Sequence, residues 1–213
     1  MEKERLLLAV KEAMENAPKK EKKPPIEPSF EKSIEEKKFE FPKYNMVDEM
    51  LLSKRFHYDV KRVIRAMVDA EAPLSEEWLL KRTVFLFGGR EKVTSVVRER
   101  FDVLMQDLQD AGIVRKNGFL YLQDREIPML RVPMENQEPR DMKYIDVQEL
   151  ANGLRQLLKQ NVTAEKDGLF KLLANQLGFA RIGDAMETRL QGALALIAQE
   201  VEVNGEMLSL KNG

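Results

Sequence analysis

Val93-Thr94-Ser95-Val96-Val97-Arg98-Glu99-Arg100-Phe101-Asp102-Val103-Leu104-Met105-Gln106-Asp107-Leu108 places apolar residues at Val93, Val96, Val97, Phe101, Leu104, Met105 and Leu108. Steps of three and four are the signature of one face of an α-helix. At an offset of 89 the same seven positions hold Ile182, Ala185, Met186, Leu190, Ala193, Leu194 and Ile197. Upstream, an offset of 90 pairs Leu79 with Leu169, Leu80 with Phe170, Lys81 with Lys171, Phe87 with Leu177 and Gly88 with Gly178, and the change of one reads as an insertion at Gly89 to Lys92. One supersecondary unit therefore occurs twice, filling the chain from about Leu52 onward.

The elements around that helix give the unit its shape. In the first copy, Val60, Val63, Ile64, Met67 and Val68 form a helical stripe over Tyr58 to Val68. Ser75 before Glu76-Glu77-Trp78-Leu79-Leu80 reads as the N-cap of a second helix, with acidic residues where the helix dipole favours them, and Gly88-Gly89 ends it. The third helix, about Glu91 to Gln109, stops at Gly112. Ile113 to Leu122 then reads as a hairpin, because Asn117-Gly118 separates two β-prone runs. The second copy predicts helices over about Asp146 to Lys159, Lys166 to Gln176 and Ile182 to Gln199, then a hairpin over Val201 to Leu210 with Asn204-Gly205 at its turn. Three helices followed by a two-stranded hairpin is the order of a winged helix. The fold class is mainly α with short β-hairpins (α+β), as tandem winged-helix repeats.

The chain divides accordingly. Residues 1–16 read as a stray helix with Leu6, Leu7, Val10 and Met14 near one face, either the end of a preceding domain or an element that docks back on the repeats. Residues 17–45 are a flexible, charged, proline-rich linker. The first winged-helix unit spans 46–125, a connector 126–143, with Leu130-Arg131-Val132 as a short extra strand, and the second unit 144–213. Units of roughly 75 residues lie near the lower limit of self-sufficient size, so each copy leans on the other.

Composition removes most catalytic chemistry. The 213 residues include no cysteine and one histidine, His57, which excludes thiolate zinc sites, cysteine–histidine dyads and serine triads. No apolar run approaches the length that spans a bilayer, and the absence of cysteine agrees with a reducing, cytoplasmic compartment. Formal net charge is −1, yet Leu79 to Arg100 holds Lys81, Arg82, Arg90, Lys92, Arg98 and Arg100 against Glu91 and Glu99. The second copy is poorer in bases and carries Glu200, Glu202 and Glu206 around its hairpin. The first copy is the basic one.

The run Glu71-Ala72-Pro73-Leu74-Ser75-Glu76-Glu77-Trp78-Leu79-Leu80-Lys81-Arg82, with Gly88-Gly89-Arg90-Glu91-Lys92-Val93-Thr94, resembles a domain of unknown function near the C-terminus of large bacterial superfamily-one helicase-like proteins. In that family the domain follows an ATPase core and a restriction-endonuclease-like domain. Leu177-Gly178-Phe179-Ala180-Arg181-Ile182-Gly183 looks like the same unit continued, and the resemblance covers roughly Tyr58 to Leu210. It implies that Met1 to Asn16 ends the endonuclease-like domain and that the parent protein acts on nucleic acid. No Walker-type glycine-lysine loop is present in this chain, so the resemblance carries no chemistry into it.

The third helix of a winged helix can enter the major groove with its N-terminal half. Arg90, Lys92, Thr94, Ser95 and Arg98 occupy that half in the first copy, and Arg115 with Lys116 occupy the wing. These seven are the candidate nucleic-acid contacts. The bland alternative is a solvated helix face. Trp78, replaced by Gly168 in the second copy, reads as a packing residue, and Arg100 with Arg189 share a repeat position that fits a structural role. Glu35-Glu36 and Glu76-Glu77 read as a linker face and a helix N-terminus rather than as acid–base pairs. The chain is thus expected to be a non-catalytic accessory module, with no cofactor or metal, binding DNA through its first copy. The rival is a protein-docking or dimerisation module, its partners the parent's other domains or, as a homodimer, a second copy.

Overall fold

A computed structural model describes residues 40–49, 52, 59–89, 92–109, 112–161 and 163–211. The expected N-terminal helix, the linker up to residue 39, His57 and Arg90 lie outside the described residues. The structure is mixed α+β. The first half runs α1 (Val60–Glu71), β1 (Leu74–Ser75), α2 (Glu76–Gly88), α3 (Ser95–Gln109), β2 (Ile113–Lys116) and β3 (Phe119–Leu122). The second runs α4 (Val147–Gln160), β4 (Ala164–Glu165), α5 (Lys166–Gln176), α6 (Asp184–Leu196), β5 (Val201–Asn204) and β6 (Met207–Leu210). Each half closes one antiparallel three-stranded sheet, ordered β1-β3-β2 and β4-β6-β5. In both, the two-residue strand ahead of the second helix pairs with the last strand of the hairpin, Leu74 opposite Leu120 and Ala164 opposite Leu208.

Local chemistry starts the helices where side-chain oxygens can reach orphan amides. Asp59 accepts from Arg62 N at 3.0 Å, Ser75 from Trp78 N at 3.4 Å, and Asp146 from Gln148 N at 2.8 Å. Helix α3 begins four residues later than its periodicity predicts, because Thr94 caps it: its hydroxyl accepts from Val97 N at 3.3 Å and its carbonyl from Arg98 N at 3.0 Å. Of the seven matched pairs, Val96 and Ala185 are exposed in both copies, while Phe101 with Leu190 and Leu108 with Ile197 are buried. Val93 and Ile182 precede their helices, Val96 and Ala185 face outward, and the inward stripe is left to the remaining five positions.

The repeat register drifts along the unit. It is 90 at β1 and β4, 89 at the starts of α3 and α6, and 88 at the hairpins, where Ile113 faces Leu122 and Val201 faces Leu210. The left-handed glycines after the second helices are Gly89 and Gly178, with φ of 57° and 86°. They match at 89, so the first shift falls before Gly89, at the end of α2, rather than at Gly89 to Lys92. The second shift moves the turn. Asn117 and Gly118 both have positive φ, as a type I′ hairpin requires, whereas Asn204 closes β5 opposite Met207 and Gly205, at 66°, leads its turn.

Two apolar clusters fill the halves. Leu52, Val63, Ile64, Met67, Leu79, Leu80, Met105 and Leu120 belong to one; Leu150, Leu154, Leu158, Leu169, Phe170, Leu190 and Ile197 belong to the other. Phe41 and Tyr44, read from sequence as the end of the linker, are buried, Phe41 in the cluster of the second half. The connector is built in as well: Leu130 is fully buried, and Lys43 and Val132 form a parallel bridge, so the strand expected at Leu130-Arg131-Val132 is reduced to one bridging residue.

Charges are buried along this seam. Glu71, fully buried, accepts from Tyr44 Oη at 2.5 Å, Val47 N at 2.9 Å and Arg82 Nη1 at 2.7 Å; Arg82 also donates to Glu49 and to the Val47 carbonyl. Arg131 donates to the carbonyls of Glu71 and Pro73 in the first half and, at 2.8 Å, to Glu149 Oε2 in the second. Arg140 reaches Glu149 Oε1 at 2.6 Å and lies 4.0 Å from the centre of the Tyr44 ring. Further links are Tyr121 Oη to Asp146 at 2.6 Å and Trp78 stacked on Tyr144 at 5.2 Å, the packing role read for that tryptophan.

Burial alone would push the Glu149 carboxyl upward, but Arg140 and Arg131 outweigh it and hold it below its ordinary 4.5. A depressed folded-state value contributes stability above the unfolded value and loses it as pH falls through the folded one. Glu149→Ala leaves the buried Arg131 and the partly buried Arg140 without their carboxylate, at a cost of about 3–5 kcal/mol. Urea unfolding at pH 7 measures that loss, and repeating it below about pH 4.5 gives a shallower dependence on pH in the variant than in the wild type.

Candidate nucleic-acid interface

The seven candidates divide into three groups. Arg90 lies outside the described residues. Lys92, Thr94, Ser95, Arg98 and Lys116 are exposed, and among the described residues Lys92, Arg98 and Lys116 have no ion-pair partner. Lys92 and Thr94 precede α3, Ser95 opens it, Arg98 follows within its first turn, and Lys116 ends β2. Together they mark the N-terminal end of α3 and the tip of the neighbouring hairpin.

Arg115 is different. Its guanidinium donates to Glu76 at 2.6 Å and to Asp102 at 2.8 Å, tying β2 to the first turn of α2 and the middle of α3. The hydrogen bond to Glu76 is the main reason its affinity for its proton rises. Arg115 thus braces the hairpin against the helices and presents little unspent charge. Its sequence neighbourhood, a basic pair beside an Asn-Gly turn, is the same for a contact and for a brace; only the acidic residues brought up by α2 and α3 separate them.

The matching face of the second half has a different charge. In the structural register Lys92 corresponds to Arg181, Ser95 to Asp184, Arg98 to Glu187 and Lys116 to Asn204. All four are exposed, so one cation is retained and one is reversed in sign. Glu200 precedes β5 and is paired with Arg155 at 2.6 Å, a bond that lowers its proton affinity; Glu202 and Glu206 are exposed. Arg189 donates to the Ile145 carbonyl, a structural task, and burial lowers its proton affinity, whereas Arg100 at the same repeat position is exposed. That pair does not share one role.

Among the described residues no group of three or more His, Asp or Glu side chains could hold a metal ion, and no helix is long and apolar enough to cross a membrane. Glu76 and Glu77 serve locally: Glu76 holds Arg115, and Glu77 pairs with Lys81 at 2.9 Å one turn on. Glu71, Arg82, Arg131 and Glu149, all buried, and the partly buried Arg140 were given no role as an internal charge network from sequence. A signal was present, since Glu71 continues the apolar stripe of α1 three and four residues after Val68 and Met67, and Glu149 shares a face of α4 with Gly153 and Leu157. Charge on an apolar face calls for a partner.

No family model, curated protein or solved structure matches the chain.

If Arg115 is a brace, Arg115→Ala lowers stability by about 1–2 kcal/mol, and Arg115→Lys recovers little because a single ammonium cannot serve both carboxylates with the fork geometry. Thermal unfolding of the two variants measures this, and the exposed face around Arg98 is untouched by either change.

Proposed function

We propose that each half is a winged helix and that the chain is a non-catalytic accessory module of a helicase-like or nuclease-like protein, contacting duplex or branched DNA through its first half. The repeated order helix, strand, two helices and hairpin, with the hairpin joined to the short strand before the second helix, supports the winged-helix reading. In that reading α3 is the recognition helix and β2–β3 the wing.

The observation that carries DNA contact is the charge difference between matched positions. Lys92, Arg98 and Lys116 stand exposed and, among the described residues, without an ion-pair partner in the first half, where the second half has Arg181, Glu187 and Asn204. A solvated face needs no particular sign, but a phosphate-contacting face needs net positive charge, and each contact adds a salt-dependent increment through counterion release. Thr94 keeps its structural duty as a cap, and Ser95 is the short polar side chain nearest the end of α3 that would meet the groove. The second half, with Asp184 and Glu187 at its equivalent helix start, serves as the rigid partner of the first rather than as a second contact.

Fluorescence anisotropy of a labelled duplex, at low and high salt, tests this. Binding at micromolar concentration that weakens with salt, and that falls about tenfold or more in a Lys92→Ala, Arg98→Ala, Lys116→Ala triple variant, is the expected outcome. Equal binding by that variant, or none by the wild type up to about 100 micromolar, rejects the assignment in favour of protein docking.

A further inference from the structure

Helix α3 carries a second surface that the DNA reading does not use. Val96, Glu99, Arg100 and Val103 recur at spacings of three, four and seven and share one side of the helix. All four are exposed, Val96 at 54% and Val103 at 60%. Ser95, Arg98 and Asp102 lie on the next side round. Among the described residues, neither Glu99 nor Arg100 has an ion-pair partner. Valine is a poor choice for a solvated helix face, since its branched side chain loses rotamer freedom there and gains nothing from burial. Two such residues flanking two uncommitted charges have the composition of a small contact face.

The order of these residues identifies what fits them. Read from either end, the stripe is apolar, charged, oppositely charged, apolar. A two-fold axis passing between Glu99 and Arg100 lays a second α3 antiparallel on the first. Val96 of one copy then meets Val103 of the other, and Glu99 meets Arg100, with each contact made twice. A parallel arrangement in register would set Glu99 against Glu99 and Arg100 against Arg100, so charge selects the antiparallel one. We infer that the outer side of α3 is a self-association surface, and that its partner is a second copy of this chain, docked antiparallel through Val96, Glu99, Arg100 and Val103. The face is small, which places the dimer among weak, concentration-dependent ones. The inference stands apart from DNA contact, which uses the adjoining side.

Sedimentation equilibrium of the full chain, without DNA, tests it through charge reversal. The wild type shows a monomer–dimer equilibrium below about 500 micromolar. Glu99→Arg and Arg100→Glu each convert two attractions into two repulsions and weaken association about tenfold. The double variant Glu99→Arg, Arg100→Glu restores complementarity and returns the dimer to within about threefold of wild type, with circular dichroism confirming the fold of all three. A wild type that remains monomeric throughout overturns the inference. So does a double variant as weak as the single ones, because only a self-complementary antiparallel contact is repaired by exchanging both charges.

Discussion

Arg131 is the group on which the arrangement of the two halves turns. Its guanidinium donates to the main chain at Glu71 and Pro73 on one side and to the Glu149 carboxylate on the other, so one planar fork is divided between the two repeats. Taking such ions out of water is expensive, and the expense is offset only when nearly every donor and acceptor is used. That condition is met closely here: Glu149 accepts from the Arg131 amide and from both guanidinium groups, and Glu71 accepts from Tyr44, Val47 and Arg82. Desolvation cancels much of the Coulomb gain, so the network contributes more to geometry than to net stability. It is satisfied in one relative placement of α1, α2, the connector and α4, and other placements strand a charge.

That constraint frees the outer surfaces to diverge. With the halves held by the seam and by their own apolar clusters, exposed positions at the starts of α3 and α6, such as Arg98 and Glu187, take no part in the packing. Their matched positions differ in sign without disturbing the packing: Arg98 and Glu187 stand at the same place on the same helix. The duplicated core and the unlike surfaces belong to separate physical problems, the first governed by volume and periodicity, the second by solvent and partners. Arg115 and Arg189 mark the boundary between them, basic side chains turned from the surface to internal bonds.

Much of the architecture was legible because its signals are local. Ser75 as a cap, Gly112 as a stop and Asn117-Gly118 as a hairpin turn act through a few bonds of their own chain, and the structure places them as their chemistry requires. What escaped was decided at a distance. The late start of α3 depended on Thr94 outcompeting further helical turns, a balance that periodicity does not weigh. The displaced second turn followed from a drift in register that a fixed offset hides, since the same dipeptide recurs one place off the equivalent position. The buried acids left a trace in their helical stripes, but their partners are scattered: Tyr44 from the stretch read as linker, Val47 from the first residues of the unit, Arg82 from α2, and Arg131 and Arg140 from the connector. Of the proposed interface, the exposed cations near α3 were legible in kind, while the commitment of Arg115 required Glu76 and Asp102 to be brought beside it.

The seam also bears on how such a module is inherited. Glu149 belongs to the second repeat, yet Arg131 and Arg140, which neutralise it, come from the stretch between repeats, and Phe41 from ahead of the first repeat closes the apolar cluster of the second. A cut after the connector would part Glu149 from both arginines and leave a carboxylate in an apolar interior, whereas a cut ahead of it would strip Arg131 of the Glu71 and Pro73 carbonyls and remove Phe41. These cross-connections mean that neither half keeps its full set of buried partners without the other.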